Sequence, residues 1–228
     1  MIRVIITGIL SIAVIMSRAF LKKGGLKAGF ALKTAAAFLF CAAGIFAVLE
    51  RGINESSALI LAAFLLCFAG DVLLALGGLA KEEYLKFFSV LGGSAFLFGH
   101  ALYATAFLSL EPLKLYLIPL FAATPLALGA VAAKKGGEAK RNLPLLLVYG
   151  AALGAALTST LNLALAGRTA GYIALTAAVL FALSDGALLA FNFGSEKIRA
   201  KSDKLRVYFV MLPYFSAQFL FALSILYI

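Results

Sequence analysis

The chain has 228 residues, 64% of them hydrophobic and only 13% charged, with a mean hydropathy of +1.05. Soluble globules average about half apolar and a quarter charged residues, so composition excludes a water-soluble domain and leaves an all-α, polytopic membrane protein. The net charge of +10 does not point to nucleic acid, because the basic residues sit in short connections between apolar runs, where anionic membrane lipids are the natural counterions.

Eight apolar segments of transmembrane length follow in order, at about 2–21, 28–49, 57–79, 85–109, 112–133, 142–166, 169–193 and 205–228, in one domain covering residues 1–228. The first lacks a basic leader and a small-x-small site, and its cations (Arg18, Lys22, Lys23, Lys27) come after the apolar stretch, so it reads as an uncleaved span. The second contains Lys33. In the third, Asp71 stands alone in a run from Ser57 to Leu79 that is about 34 Å long as a helix. The fourth carries His100, the only histidine, with Tyr103 one turn away on the same face. The fifth holds Pro119 and Pro125, and Pro144 and Pro213 fall in the sixth and eighth; spans accept such residues where neighbours satisfy the freed carbonyls. The sixth has Tyr149 and the pair Gly150 and Gly154, read as helix packing. The seventh sets Ser184-Asp185 in a second uncharged run, Thr169 to Phe193, and the eighth contains Gln218. Cys41 and Cys67 lie in apolar runs and read as small filler.

The odd-numbered connections hold 15 of the basic residues, against four (Arg3, Arg51, Lys114, Arg168) on the opposite side. The positive-inside rule then makes the odd loops cytoplasmic and puts both termini outside, in a bacterial inner membrane. Counted at 1.5 Å per residue from the basic side, Asp71 and Asp185 both fall at about 12 Å, Lys33 at about 8 Å, Tyr149 at about 10 Å and His100 at about 22 Å. Asp71 and Asp185, Lys33 and Tyr149, and His100 and Gln218 are each separated by close to half the chain, which suggests two parallel four-span repeats with the carboxylates facing each other across the axis.

A carboxylate in mid-span costs several kcal/mol on insertion, so it needs a partner, a proton or a task. Two in one low-dielectric chamber resist being charged together, and one protonated and one ionised partner is the arrangement that acid-assisted bond cleavage uses. Lys33 is open to three readings: a phosphate contact, a counterion to an Asp, or an ammonium that snorkels to the headgroups. His100 is either a packed polar group or the upper lining of a pocket, too far above the Asp layer for a direct dyad. Ser184 points away from Asp185 and bonds its own backbone. The absence of a G-x-S-x-G elbow, a zinc ligand set and a P-loop counts against a serine lipase, a zinc hydrolase and an ATP-driven pump.

Taken together, Gly70-Asp71-x-x-Leu74, Gly93 with His100-x-x-Tyr103, Phe181-x-x-Ser184-Asp185-x-x-Leu188 and Pro213-Tyr214-x-x-Ala217-Gln218 resemble the YhhN family of lysoplasmalogenase-like membrane proteins, in the same order and across all eight segments. The family commonly has Lys-Pro in span two, where this chain has Lys33-Thr34. The resemblance implies hydrolysis of the vinyl ether bond of a lysophospholipid or similar amphiphile. Asp71 and Asp185 would be catalytic, Lys33, His100, Tyr103, Tyr149, Ser184, Tyr214 and Gln218 would line the substrate site, and no cofactor or metal is implied. We read Asp71 as the acid and Asp185 as the base, although nothing in the sequence orders them. A proton-coupled transporter of a small or amphiphilic solute is the competing expectation, since buried carboxylates and parallel repeats serve both.

Overall fold

Inside a bilayer no water can satisfy a peptide group, so each apolar run must close its own hydrogen bonds as a helix. The structure is a computed structural model that describes residues 1–20, 25–193 and 203–228. These are helical without strands, and eight helices are long and apolar enough to cross a membrane. In order they are α1 (Ile2–Ser17) with a 3-10 turn at Arg18–Phe20, α2 (Leu26–Arg51), α3 (Glu55–Gly77), α4 (Glu82–Leu108), a 3-10 turn at Leu115–Leu117 leading into α5 (Ile118–Lys135), a short α6 (Gly137–Arg141), α7 (Leu143–Leu165) and α8 (Thr169–Phe193). The eighth span is continuous through α9 (Asp203–Arg206), a π-helical turn at Val207–Met211 and α10 (Leu212–Ile225). Each observed span end lies within 3 residues of the expected one. Lys22, Lys23, Lys197, Arg199 and Lys201, counted above as loop cations, lie outside the described residues.

Local chemistry sets the joints. Gly52 closes α2 with a φ of 94°, a conformation that suits a residue without Cβ, and Asn54 then caps α3. The Asn54 side chain accepts the Ser57 N–H at 2.8 Å while Ser57 Oγ accepts the Asn54 N–H at 2.9 Å, a reciprocal capping box. Between α4 and α5, the fully buried Asn162 of α7 donates to the Glu111 and Pro112 carbonyls and accepts the Lys114 N–H, so all its polar atoms are used. Pro119, Pro144 and Pro213 occupy the first turns of α5, α7 and α10, where a missing N–H costs little. Only Pro125 lies inside a helix. Ahead of Pro213 the span widens to the π turn, with the Leu212 N–H reaching back to Val207 O.

With lipid tails as apolar as leucine, helices associate through close packing of small residues. The most extensive contact, α3 with α4, shows this: a Cβ on Gly70 would lie 3.1 Å from Gly92 O, one on Gly92 3.2 Å from Gly70 O, and one on Gly99 3.0 Å from Cys67 Sγ. The two backbones touch along the stretch that carries Asp71 and His100. Gly150 and Gly154 do the same for α7 against α5, where a Cβ on Gly154 would meet Phe121 O at 2.7 Å. A backbone carbonyl cannot swing aside as a side chain can. Gly154→Val is therefore expected to cost about 1–3 kcal/mol and to lower the melting point in detergent, whereas Ala at the half-buried but uncrowded Gly93 leaves it near wild type.

The neighbour pattern repeats after four spans. The contacts α1–α2, α2–α3 and α3–α4 are matched by α5–α7, α7–α8 and α8–α10, and the cross-contact α4–α7 by α10–α2. The two halves thus pack alike, with α1 additionally against α10.

Candidate functional site

Antiparallel packing of α2 on α3 brings Lys33 to Asp71. Its Nζ lies 3.0 Å from Asp71 Oδ1, and the Tyr214 hydroxyl of α10 donates to Oδ2 at 2.6 Å. Both carboxylate oxygens of this buried residue are occupied, one by an ammonium and one by a phenol. Lys33 itself is 13% exposed at its side chain, so the ion pair is sealed from bulk solvent but not from the space beside it.

The second cluster repeats the first with different chemistry. The Tyr149 hydroxyl of α7 donates to Asp185 Oδ2 at 2.8 Å, and His100 Nε2 of α4 lies 3.4 Å from the same oxygen and 3.2 Å from Tyr149 Oη. Since Tyr149 spends its proton on Asp185, its oxygen accepts from a His100 Nε2–H. Asp185, Tyr149 and His100 form a closed triangle able to pass a proton among them. Asp71 and Asp185 are 114 positions apart, and so are His100 and Tyr214. The structural equivalent of His100 is therefore Tyr214, where spacing had suggested Gln218.

Gln218 serves elsewhere. Its Oε1 accepts the Tyr103 hydroxyl at 2.6 Å, and both residues are fully buried. Tyr103 and Gln218 thus meet each other rather than either carboxylate. Ser184 donates to Val210 O at 2.8 Å, so its hydroxyl serves the widened turn of the eighth span instead of its own backbone or an open pocket.

Two further expectations change. The carboxylates sit in two separate clusters joined through packed rings, with centroids 5.1 Å apart for Phe181 and Tyr214, 5.7 Å for Phe96 and Tyr214, and 4.3 Å for His100 and Phe181. Cys67, a turn from Asp71 on α3, is fully buried. Secondly, His100 lies in the Asp layer and contacts Asp185. The depth count failed because it began at residue 85, whereas Lys81 to Phe87 are all exposed and the first buried residue of α4 is Gly92. Measured from Gly92, His100 is about 12 Å along the helix, the level assigned to the two acids.

A cleft of about 160 Å³ opens beside the first cluster at the basic end of the bundle. Arg18 after α1, Leu26, Phe30 and Lys33 of α2, Leu74, Gly78 and Leu79 at the end of α3, and Met211 of the π turn line it. Arg18 and Met211 were not expected there. Arg18 had been counted only as an orientation charge, and the one signal for Met211 was Pro213 two residues on, which marks a turn whose carbonyls need other donors.

Chemically the arrangement offers a carboxylate–ammonium pair beside a cleft, a triangle of acid, phenol and imidazole joined to it through packed rings, and exposed apolar helix faces around them. No curated protein and no solved structure matches the chain. Residues 26–225, which contain both carboxylates and all four of their partners, match the YhhN family, and the chain belongs to that family.

Proposed function

We propose that this protein is an intramembrane hydrolase that cleaves the vinyl ether bond of a lysoplasmalogen-type lipid, releasing a fatty aldehyde and the glycerophospho-headgroup. The observation that carries the reading is the Lys33–Asp71–Tyr214 cluster at the cleft, because a charge-fixed carboxylate reached from the bilayer edge is what an acid-labile ether lipid needs. Membership of the YhhN family is consistent with it.

The reaction adds water across a C=C–O unit. A proton goes to the β-carbon, the resulting oxocarbenium ion is captured by water at the α-carbon, and the hemiacetal collapses to aldehyde and alcohol. Asp71, held ionised by Lys33, stabilises the cation and takes the proton of the attacking water. The Asp185, Tyr149 and His100 triangle holds the proton delivered to carbon. This reverses the order of acid and base read from the sequence, and the reason is Lys33: an ammonium lies 3.0 Å from Asp71, whereas Asp185 is paired with a phenol and an imidazole. The rings of Phe96, Phe181 and Tyr214 present negative faces to a passing cation. Sidedness follows the basic loops, with the cleft opening to the cytoplasmic leaflet.

The test is turnover of an alkenyl lysophospholipid by purified protein in deuterium oxide. The expected product is an aldehyde carrying one deuterium at the carbon next to the carbonyl. Absence of aldehyde, or aldehyde without that label, removes the proposal. The repeated four-span packing also suits a proton-coupled carrier. In that case a pH gradient drives uptake of an intact amphiphile into liposomes, with no aldehyde formed.

A further inference from the structure

The cleft is small against the 300–1,000 Å³ of sites that enclose a drug-sized ligand, so it cannot hold a whole lipid. It can hold a headgroup. Among the described residues, both charged ones lining it are cations, Arg18 and Lys33, and no acid lines it. Its remaining lining is apolar on the α2 and α3 sides, continuous with lipid-facing surface where Leu26 and Leu79 are exposed.

Resting on the hydrolase reading, we propose that this cleft is the binding site for the phosphate of a lysolipid headgroup, with Arg18 and Lys33 as its two donors. Arg18 Nη1 donates to Gly29 O at 3.4 Å, and the Arg18 side chain lies across the first turns of α2, where a Cβ on Gly29 would be 3.4 Å from its Nε. This contact holds the guanidinium against the start of α2, where Arg18 lines the cleft, and with five N–H groups in a planar fork it can serve several acceptors at once. Lys33 has three donors and spends one on Asp71, so a phosphate oxygen on a second places the headgroup directly beside the ionised acid. The glycerol carbons between phosphate and vinyl ether then span the step from Lys33 toward Tyr214, while the acyl-like chain lies outside along α2 and α3. Headgroup binding and positioning of the reactive bond are thereby one act. Arg18 precedes the segment that matches the family, so the inference concerns this chain.

The experiment measures equilibrium binding, in nanodiscs, of a radiolabelled 1-alkyl lysophosphatidylethanolamine, which lacks the double bond and cannot be cleaved, so the outcome does not depend on turnover. Arg18→Gln is expected to weaken binding at least about tenfold, the loss of one charge-assisted pair, and Arg18→Lys to recover part of it. The comparison ligand is 1-alkylglycerol, the same chain without phosphate, whose binding should differ little between wild type and Arg18→Gln. Glycerophosphoethanolamine should displace the labelled lipid at concentrations where inorganic phosphate does not. Equal binding by wild type and Arg18→Gln, equal weakening for both ligands, or equal displacement by inorganic phosphate each overturns the headgroup site. If the binding result holds and no aldehyde is formed from the alkenyl lipid, the site stands and the hydrolase reading falls.

Discussion

Asp71→Asn is expected to lower aldehyde release by about a hundred- to ten-thousandfold, the range for removing a group that handles protons in the transition state. Asparagine keeps the size of the side chain and can still accept from the Tyr214 hydroxyl, so the packing of α3 against α10 survives. What disappears is the negative charge that faces the oxocarbenium ion and receives the proton of water. The measurement is single-turnover aldehyde formation on protein shown by gel filtration to be monodisperse. A variant that retains its shape and more than a tenth of the wild-type rate would move the chemistry elsewhere in the bundle.

The second large effect concerns stability. Lys33→Met removes the cation from a buried pair and leaves Asp71, 2% exposed at its side chain, with only a phenol for company. Breaking such a pair from one side costs about 3–5 kcal/mol, because the remaining charge keeps its desolvation penalty without its compensation. Adding Asp71→Asn to Lys33→Met removes the orphaned charge, so the double variant should melt above Lys33→Met alone although it carries one more substitution. This non-additivity is the signature of a direct pair. Costs that simply add in a thermal melt would mean that the ammonium leaves Asp71 for the headgroup region.

How legible was this in one sequence? The spans were, because hydrocarbon thickness and the need to satisfy peptide groups leave a helix of set length as the only solution. The polar residues in them were legible as a set, since burying Lys33, Asp71, His100, Tyr149, Asp185 or Gln218 in a bilayer is costly wherever they point, whereas Tyr214 was marked only by the family resemblance. Their partners were not. Depth counting kept His100 apart from Asp185 because it began at Leu85, although Leu85–Phe87 are exposed and the first buried residue of α4 is Gly92. It also could not see that Gly70 and Gly92 let α3 and α4 touch, which brings both helices' functional residues to one level. Ser184 looked like a site residue, and its use lay in a carbonyl of a turn that only the fold reveals. The repeat was visible as offsets near half the chain, but with His100 assigned to the wrong counterpart. Hydroxyl, imidazole and amide can trade places between halves while the helix contacts stay the same.

The four-span repeat carries a consequence for how the protein matures. Lys33 and Asp71 both come from the first half, yet Tyr214, which closes their cluster, comes from the second; Tyr149 and Asp185 belong to the second half, and His100, which closes theirs, to the first. Each acid is finished by a residue borrowed across the seam. A nascent chain that has inserted only four helices carries the Lys33–Asp71 pair without Tyr214, and docking of the halves is the step that gives both acids their last partner.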